Sequence, residues 1–252
     1  MAGMPAPEPK KAGHTHHAAF HTTRWSVVLA AQGKVSRDAF QSLEALCRQY
    51  WPPLYAYVRH RGYSPHEAED LTQEFFARLL EKEWLAAAKR ECGRFRSFLL
   101  MALKRFLANE WDRSQALKRG GGCDVISLDA GSAENHYATN AASLPAETLY
   151  EKRWALTLLE TVMHRLKSEH ETAGKVAEYE LLKPSLTAAR GEIRYEALAD
   201  ELGMEPASAR SAIHRLRKRF REIFREEIAG TVADPREVDD EMRAVIAALS
   251  SD

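Results

Sequence analysis

Cysteine is scarce in this 252-residue chain: Cys47, Cys92 and Cys123 stand far apart and are odd in number. They build neither a disulfide framework nor a close pair of metal ligands, and a reducing compartment is the simplest setting for them. Long apolar runs are also missing. No stretch approaches the roughly 20 apolar residues that span a bilayer, and residues 1–13 hold Pro, Lys and Glu without the apolar segment of a secretory signal. A cytoplasmic protein with no membrane partner is expected. Net charge is absent as well, with 36 Lys and Arg against 36 Asp and Glu, so any affinity for nucleic acid must come from where the charges are segregated. Strand-period alternation and internal repeats do not occur, which predicts an all-α chain. Finally, no His, Ser or metal-ligand partner is spaced to work with the carboxylates, so no catalytic constellation is present and an enzyme is not expected.

What the chain does have is a succession of helical patterns broken by two irregular tracts. Residues 1–22, rich in Pro, Ala, His and Lys, read as a disordered tail. His14, His16, His17 and His21 within it are weak metal-ligand candidates, but a solvated tail lacks the fixed geometry of a site, so no metal or other cofactor is expected. Helical spacing then runs through residues 23–118. Phe40, Leu43, Leu46, Cys47 and Tyr50 form one stripe, with Pro52 and Pro53 expected to punctuate it before Leu54, Tyr57 and Val58 resume. Gly62 ends that helix, and Ser64-Pro65-His66-Glu67 is a capping box with Pro at the first helical position. It opens a helix from about Pro65 to Glu81, with an apolar face of Leu71, Phe75 and Leu79, to which Phe76 is a candidate addition. A long helix follows over about Phe95 to Leu117. Residues 119–146, Gly-, Ala- and Ser-rich, read as a flexible linker between two helical domains. Helices resume over 147–232, where Leu156, Leu159, Val162, Met163 and Leu166 predict one amphipathic face and Val176 to Leu182 a second. Residues 233–252 are an acidic extension with a short apolar helix around Met242, Val245, Ile246 and Leu249.

Three constellations stand out. The first is a helix-turn-helix over Tyr195 to about Phe220. Leu198, Ala199 and Leu202 face inward, Gly203 supplies the turn, and a second helix starting at Pro206 carries Ala209, Ala212, Ile213 and Leu216 inward. Its other faces present Ser208, Arg210, Ser211, His214, Arg215, Arg217, Lys218 and Arg219, which suits the phosphate-lined major groove. An ordinary hairpin with a solvated charged face is the alternative, though an idle surface has no need of so much arginine. The second is the acidic helix bearing Glu67, Glu69, Asp70, Gln73, Glu74 and Phe76. Its carboxylates either complement the helix dipole or dock a basic partner, and composition leaves both open. The third is Gly93-Arg94-Phe95-Arg96-Ser97-Phe98 with its following helix. There aromatic rings interleave with Arg94, Arg96, Lys104, Arg105, Asn109 and Arg113, as single-stranded DNA binding requires. Phe98 and Phe106 are expected in the core, and Phe95, at the start of the helix, is the candidate for a base contact.

These segments, in this order, resemble the extracytoplasmic-function group of RNA polymerase sigma factors. The resemblance covers about Phe20 to Ser250 and marks a divergent subgroup with a C-terminal extension. It implies two helical domains, no enzymatic activity and no obligatory cofactor. The tract from Tyr50-Trp51-Pro52-Pro53 through Glu74-Phe75-Phe76 is similar to the helices that grip the β′ clamp coiled coil of core RNA polymerase. The tract from Arg94 to Arg113 is similar to the segment that melts and reads the minus-ten element. The helix-turn-helix is similar to the reader of the minus-thirty-five element, held beside the β flap. The linker would thread toward the active-site and RNA-exit channels. Promoter DNA is the implied nucleic acid, an anti-sigma regulator is a candidate partner, and a monomer is expected when free. Two features depart from the minimal plan: residues 179–186 lack the family's Leu/Arg-rich run, and residues 22–26 and the acidic tail are additions. A polymerase-independent helix-turn-helix regulator is the rival reading. The tail is further expected to fold back and shield the basic second helix.

Overall fold

The computed structural model describes residues 37–80, 94–117, 144–189 and 191–250, without the side chains of residues 37–43, 45, 80 and 112–117. Among these every regular element is helical. In chain order they are α1 (Arg37–His60), α2 (Pro65–Leu80), α3 (Phe95–Leu117), α4 (Ala146–Thr172), α5 (Val176–Leu182), a 3₁₀ turn (Lys183–Leu186), α6 (Tyr195–Leu202), α7 (Pro206–Ala229), a second 3₁₀ turn (Pro235–Glu237) and α8 (Val238–Ser250).

α1 does not break at Pro52-Pro53, contrary to the sequence expectation. Two prolines remove two backbone donors, ordinarily enough to kink or stop a helix. Here the turn after them is buried on all sides, with Leu54, Tyr55, Ala56, Tyr57 and Val58 in the core. Packing at five consecutive positions outweighs the local preference. The helix ends where Arg61 N–H turns back to Tyr57 and Val58 carbonyls and Gly62 takes φ +95°. The capping box of α2 forms as its residues dictate: Glu67 N–H donates to Ser64 Oγ (3.3 Å) and Ser64 N–H to Glu67 Oε2 (2.8 Å).

α4 is the hub. It packs along α1 on one side and against α7 and α8 on others. Its buried residues are Leu149, Tyr150, Arg153, Trp154, Ala155, Leu158, Val162 and Leu166, so the inward stripe runs through Leu158 rather than through Leu156 and Leu159. A helix enclosed by several partners buries more than one stripe, and a single-stripe reading therefore misplaces its face. The halves expected as separate domains share one continuous apolar core, from Leu46 and Phe75 through Trp154 to Ile223 and Val245. The proposed linker, residues 119–146, lies mostly outside the described residues.

α6, Gly203 and α7 form the helix-turn-helix. Gly203 adopts the left-handed conformation (φ 63°, ψ 37°), and Met204 N–H closes the end of α6 on the Ala199 carbonyl (2.9 Å). α7 runs on to Ala229, nine residues beyond the expected end at Phe220, because Ile223, Phe224 and Ile228 continue the buried stripe. α8 folds back on α4 with Val238, Glu241 and Val245 buried.

Candidate nucleic-acid interface

Three surfaces carry the expected site residues. On α2, Glu67 and Glu74 are exposed and Glu69, Asp70 and Gln73 half-buried, so the acidic face is present and outward. His66 pairs with Asp70 (3.0 Å) and Arg78 with Glu74 (2.7 Å). The Ser64 hydrogen bonds hold the Glu67 carboxyl below its ordinary pKa. Phe76 does not join this face: it is buried and stacked on Trp51 at 5.9 Å. Its position one residue after Phe75 places it on the flank of the apolar stripe, and Trp51 of α1 covers that flank.

On α3 the expected residues divide. Phe95 is fully buried, edge-on to Tyr50 at 5.3 Å, with its N–H on the Thr231 carbonyl (3.2 Å). It is a core residue in this conformation, not a ring offered to a base. Arg96 is 3% exposed. Its guanidinium bonds Glu241 at 2.7 and 3.0 Å, pairs with Glu151 and lies over the Trp154 ring at 4.7 Å. Arg94 reaches the same Glu241 carboxylate (2.7 Å). Arg96 therefore faces inward, met by a carboxylate from α4 and one from α8, while Arg94, just before α3, is half-buried with its Nε on the α8 carboxylate.

Lys104, Arg105 and Asn109 do line an exposed face of the same helix, with Lys104 paired to Glu147 of α4 (2.6 Å). Arg113 lies on α3, but its side chain is outside the described residues. Phe106 is buried and Phe98 half-buried, as expected. The ring that reaches solvent is Trp111, 58% exposed. It borders a groove with Tyr57, Arg61, Tyr63, Lys104 and Leu107. Spacing carried the signal, since Trp111 is seven residues after Lys104 and so on the polar side of α3. The tyrosines joining it come from α1 and the turn after it, which spacing within α3 does not reveal.

On α7, Ser208, Arg210, Ser211, His214, Arg215 and Lys218 are exposed together. Arg210 also stacks over Tyr195 of α6 at 5.0 Å. Arg217 and Arg219 are struts instead. Arg217 donates to the carbonyls of Ser185 (2.9 and 2.6 Å) and Ala188 (2.7 Å). Arg219 forks onto Glu169 of α4 (2.8 and 2.7 Å) and reaches Glu222 and Glu226. That fork holds the Glu169 carboxyl below its ordinary pKa. Their positions on α7 turn them toward the 3₁₀ turn and α4.

Among the described residues no cluster of His, Cys, Asp and Glu could hold a metal ion. His14, His16, His17 and His21 lie outside the described residues. Burial first, then Glu44, pushes the Cys47 thiol up to about 11, so it is an inert packing group at neutral pH. No helix among the described residues is long and apolar enough to cross a membrane.

Residues 46–116 match the family described as Sigma-70 region 2, a span that covers most of α1, all of α2 and nearly all of α3. The match supports a sigma factor of the sigma-70 family, a class that binds RNA polymerase in transcription initiation. Comparison with curated proteins and with solved structures gave no match.

Proposed function

We propose that this protein is a sigma factor of the extracytoplasmic-function group, acting in the cytoplasm to bring core RNA polymerase to promoters. The carrying observation is that the segment similar to Sigma-70 region 2 presents two opposite chemistries on adjacent helices. α2 shows carboxylates and α3 shows Lys104, Arg105 and Asn109 beside the exposed Trp111. In this reading Glu67, Glu69, Asp70, Gln73 and Glu74 dock the basic clamp of polymerase. The α3 face captures the melted minus-ten strand, with Trp111 stacking on a base. Ser208, Arg210, Ser211, His214, Arg215 and Lys218 hold the minus-thirty-five duplex. Neither DNA contact needs to be strong alone, since polymerase sets their spacing and raises the effective concentration of the second contact. The balanced net charge of the chain then limits unproductive binding of the free factor to bulk DNA.

The test is retention of purified core polymerase by the wild-type chain and by an Asp70→Lys, Glu74→Lys double variant at moderate salt. The expected result is retention by the first and loss by the second. Retention by both would move the docking face. Failure of the folded wild type and of a chain lacking α8 would favour a polymerase-independent regulator, which should then bind a palindromic duplex as a dimer.

A further inference from the structure

α8 does not shield the outward face of α7, as the sequence suggested. It goes to the other end of the candidate DNA surface. Glu241 is fully buried, and its two oxygens accept from Arg94 Nε (2.7 Å) and from Nε and Nη2 along one edge of Arg96 (2.7 and 3.0 Å). One carboxylate thus gathers two of the basic residues expected to follow a DNA backbone. Phe95, between them, is tied to Thr231 just after α7 by its backbone N–H. Val238 and Val245 bury on the same side of α8, while Asp239 pairs with Arg225 at the surface.

The placement of Glu241 is informative because the stripe through Val238 and Val245 is where an apolar side chain would serve packing best. Buried ion clusters seldom stabilise a protein more than a well-packed apolar residue of similar size. What the carboxylate does supply is occupancy: guanidinium edges held by Glu241 are unavailable to a phosphate. Their geometry, the Arg96 fork and the Arg94 Nε converging on one anionic group, is also what a phosphodiester would require.

We infer that α8 is a built-in competitor for the DNA strand, with Glu241 occupying the anion site of Arg94 and Arg96 until the clip opens. The ligand class it excludes is the phosphodiester backbone of single-stranded DNA, an identity that rests on the sigma-factor reading. In the closed state Arg96 is buried and Arg94 is half-buried with its Nε occupied, so the Lys104, Arg105 and Asn109 end of α3 is the open part of the face. Release of α8 adds Arg94 and the freed edge of Arg96 to that face, with Arg96 still paired to Glu151 of α4.

The experiment compares the full chain with its Glu241→Gln variant in binding a short labelled single-stranded oligodeoxynucleotide over a range of salt. The variant should bind about tenfold tighter, within the usual range for coupled equilibria. Its log affinity should fall more steeply with log salt, by about 0.7 for each phosphate newly neutralised. Adding Arg94→Ala and Arg96→Ala to the variant should abolish both gains, which a merely loosened fold would not do. Equal affinity and equal slope in a folded variant overturn the clip. Retention of core polymerase by the same proteins then leaves the sigma-factor reading standing, whereas loss of retention by all of them removes that reading as well. Should the variant fail to fold, hydrogen exchange of the wild type bound to core polymerase and the oligodeoxynucleotide decides. Faster exchange across α8 and at the Phe95 amide supports release, and unchanged protection at both overturns it.

Discussion

At the scale of residues, arginines that look alike in sequence do different work. Arg217 satisfies carbonyls of the segment ahead of the helix-turn-helix, whereas Arg215, two positions earlier, faces solvent. Arg217→Ala should therefore lower stability by about 1.5–3 kcal/mol, the range for hydrogen bonds to a charged group, as read by urea denaturation. Arg215→Ala should stay within about 0.5 kcal/mol of wild type while weakening binding to duplex promoter DNA in the holoenzyme. Trp111 gives the complementary case. Trp111→Ala should leave the unfolding midpoint nearly unchanged and lower affinity for single-stranded DNA by about 1–3 kcal/mol, the contribution of one stacked base. A Phe95→Ala change should do the opposite, since that ring is in the core; a large loss of stability of about 3–5 kcal/mol is expected.

At the scale of elements, α7 is tied to α4 by an ionic seam in which Glu169 meets Arg219, and Arg165 meets Glu226 and Glu227. The folded-state pKa of Glu169 lies below its ordinary value of 4.5, chiefly through the hydrogen bond from Arg219. A depressed carboxylate pKa contributes stability that is complete above the unfolded value and is lost as pH falls through the folded one. Thermal stability should therefore decline from about pH 4.5 downward. Glu169→Gln should flatten part of that decline while lowering the midpoint at pH 7, measured by calorimetry across the acid range. At the start of α2 the capping box makes a similar local claim: Ser64→Ala should cost about 1 kcal/mol without altering the packing of Phe75 or Leu79.

At the scale of the whole molecule, α4 packs in one core with helices from both of the segments that the sequence divides. Trp154 is enclosed, with Arg96 of α3 over its ring, and lies in the same core as Tyr50 of α1 and Ile223 of α7. Two-state unfolding is the expected behaviour of a single core. Trp154→Ala should destabilise by about 3–5 kcal/mol, and probes placed in α2 and in α7 should report coincident transitions. Separate transitions would show that the halves hold themselves together independently. The Glu241 contacts add α8 to that packing, joining it to the start of α3.

Local chemistry made the secondary structure legible. The Ser64-Glu67 box, the left-handed Gly203 and the spacing of Ala209, Ala212, Ile213 and Leu216 act over a turn or two, and they placed α2, α6 and the start of α7 nearly to the residue. The signature of Sigma-70 region 2 is likewise a property of consecutive residues. Burial of a charged or aromatic side chain is different, because it depends on which distant helix covers it. Pro52 and Pro53 stay helical because α1 is enclosed. Phe76 and Phe95 turn inward because Trp51 and Tyr50 meet them. Arg96 turns inward because a glutamate 145 residues later reaches it. Spacing along one helix determines which residues share a side; only the packing of α4 and α8 decided which of those sides meets solvent.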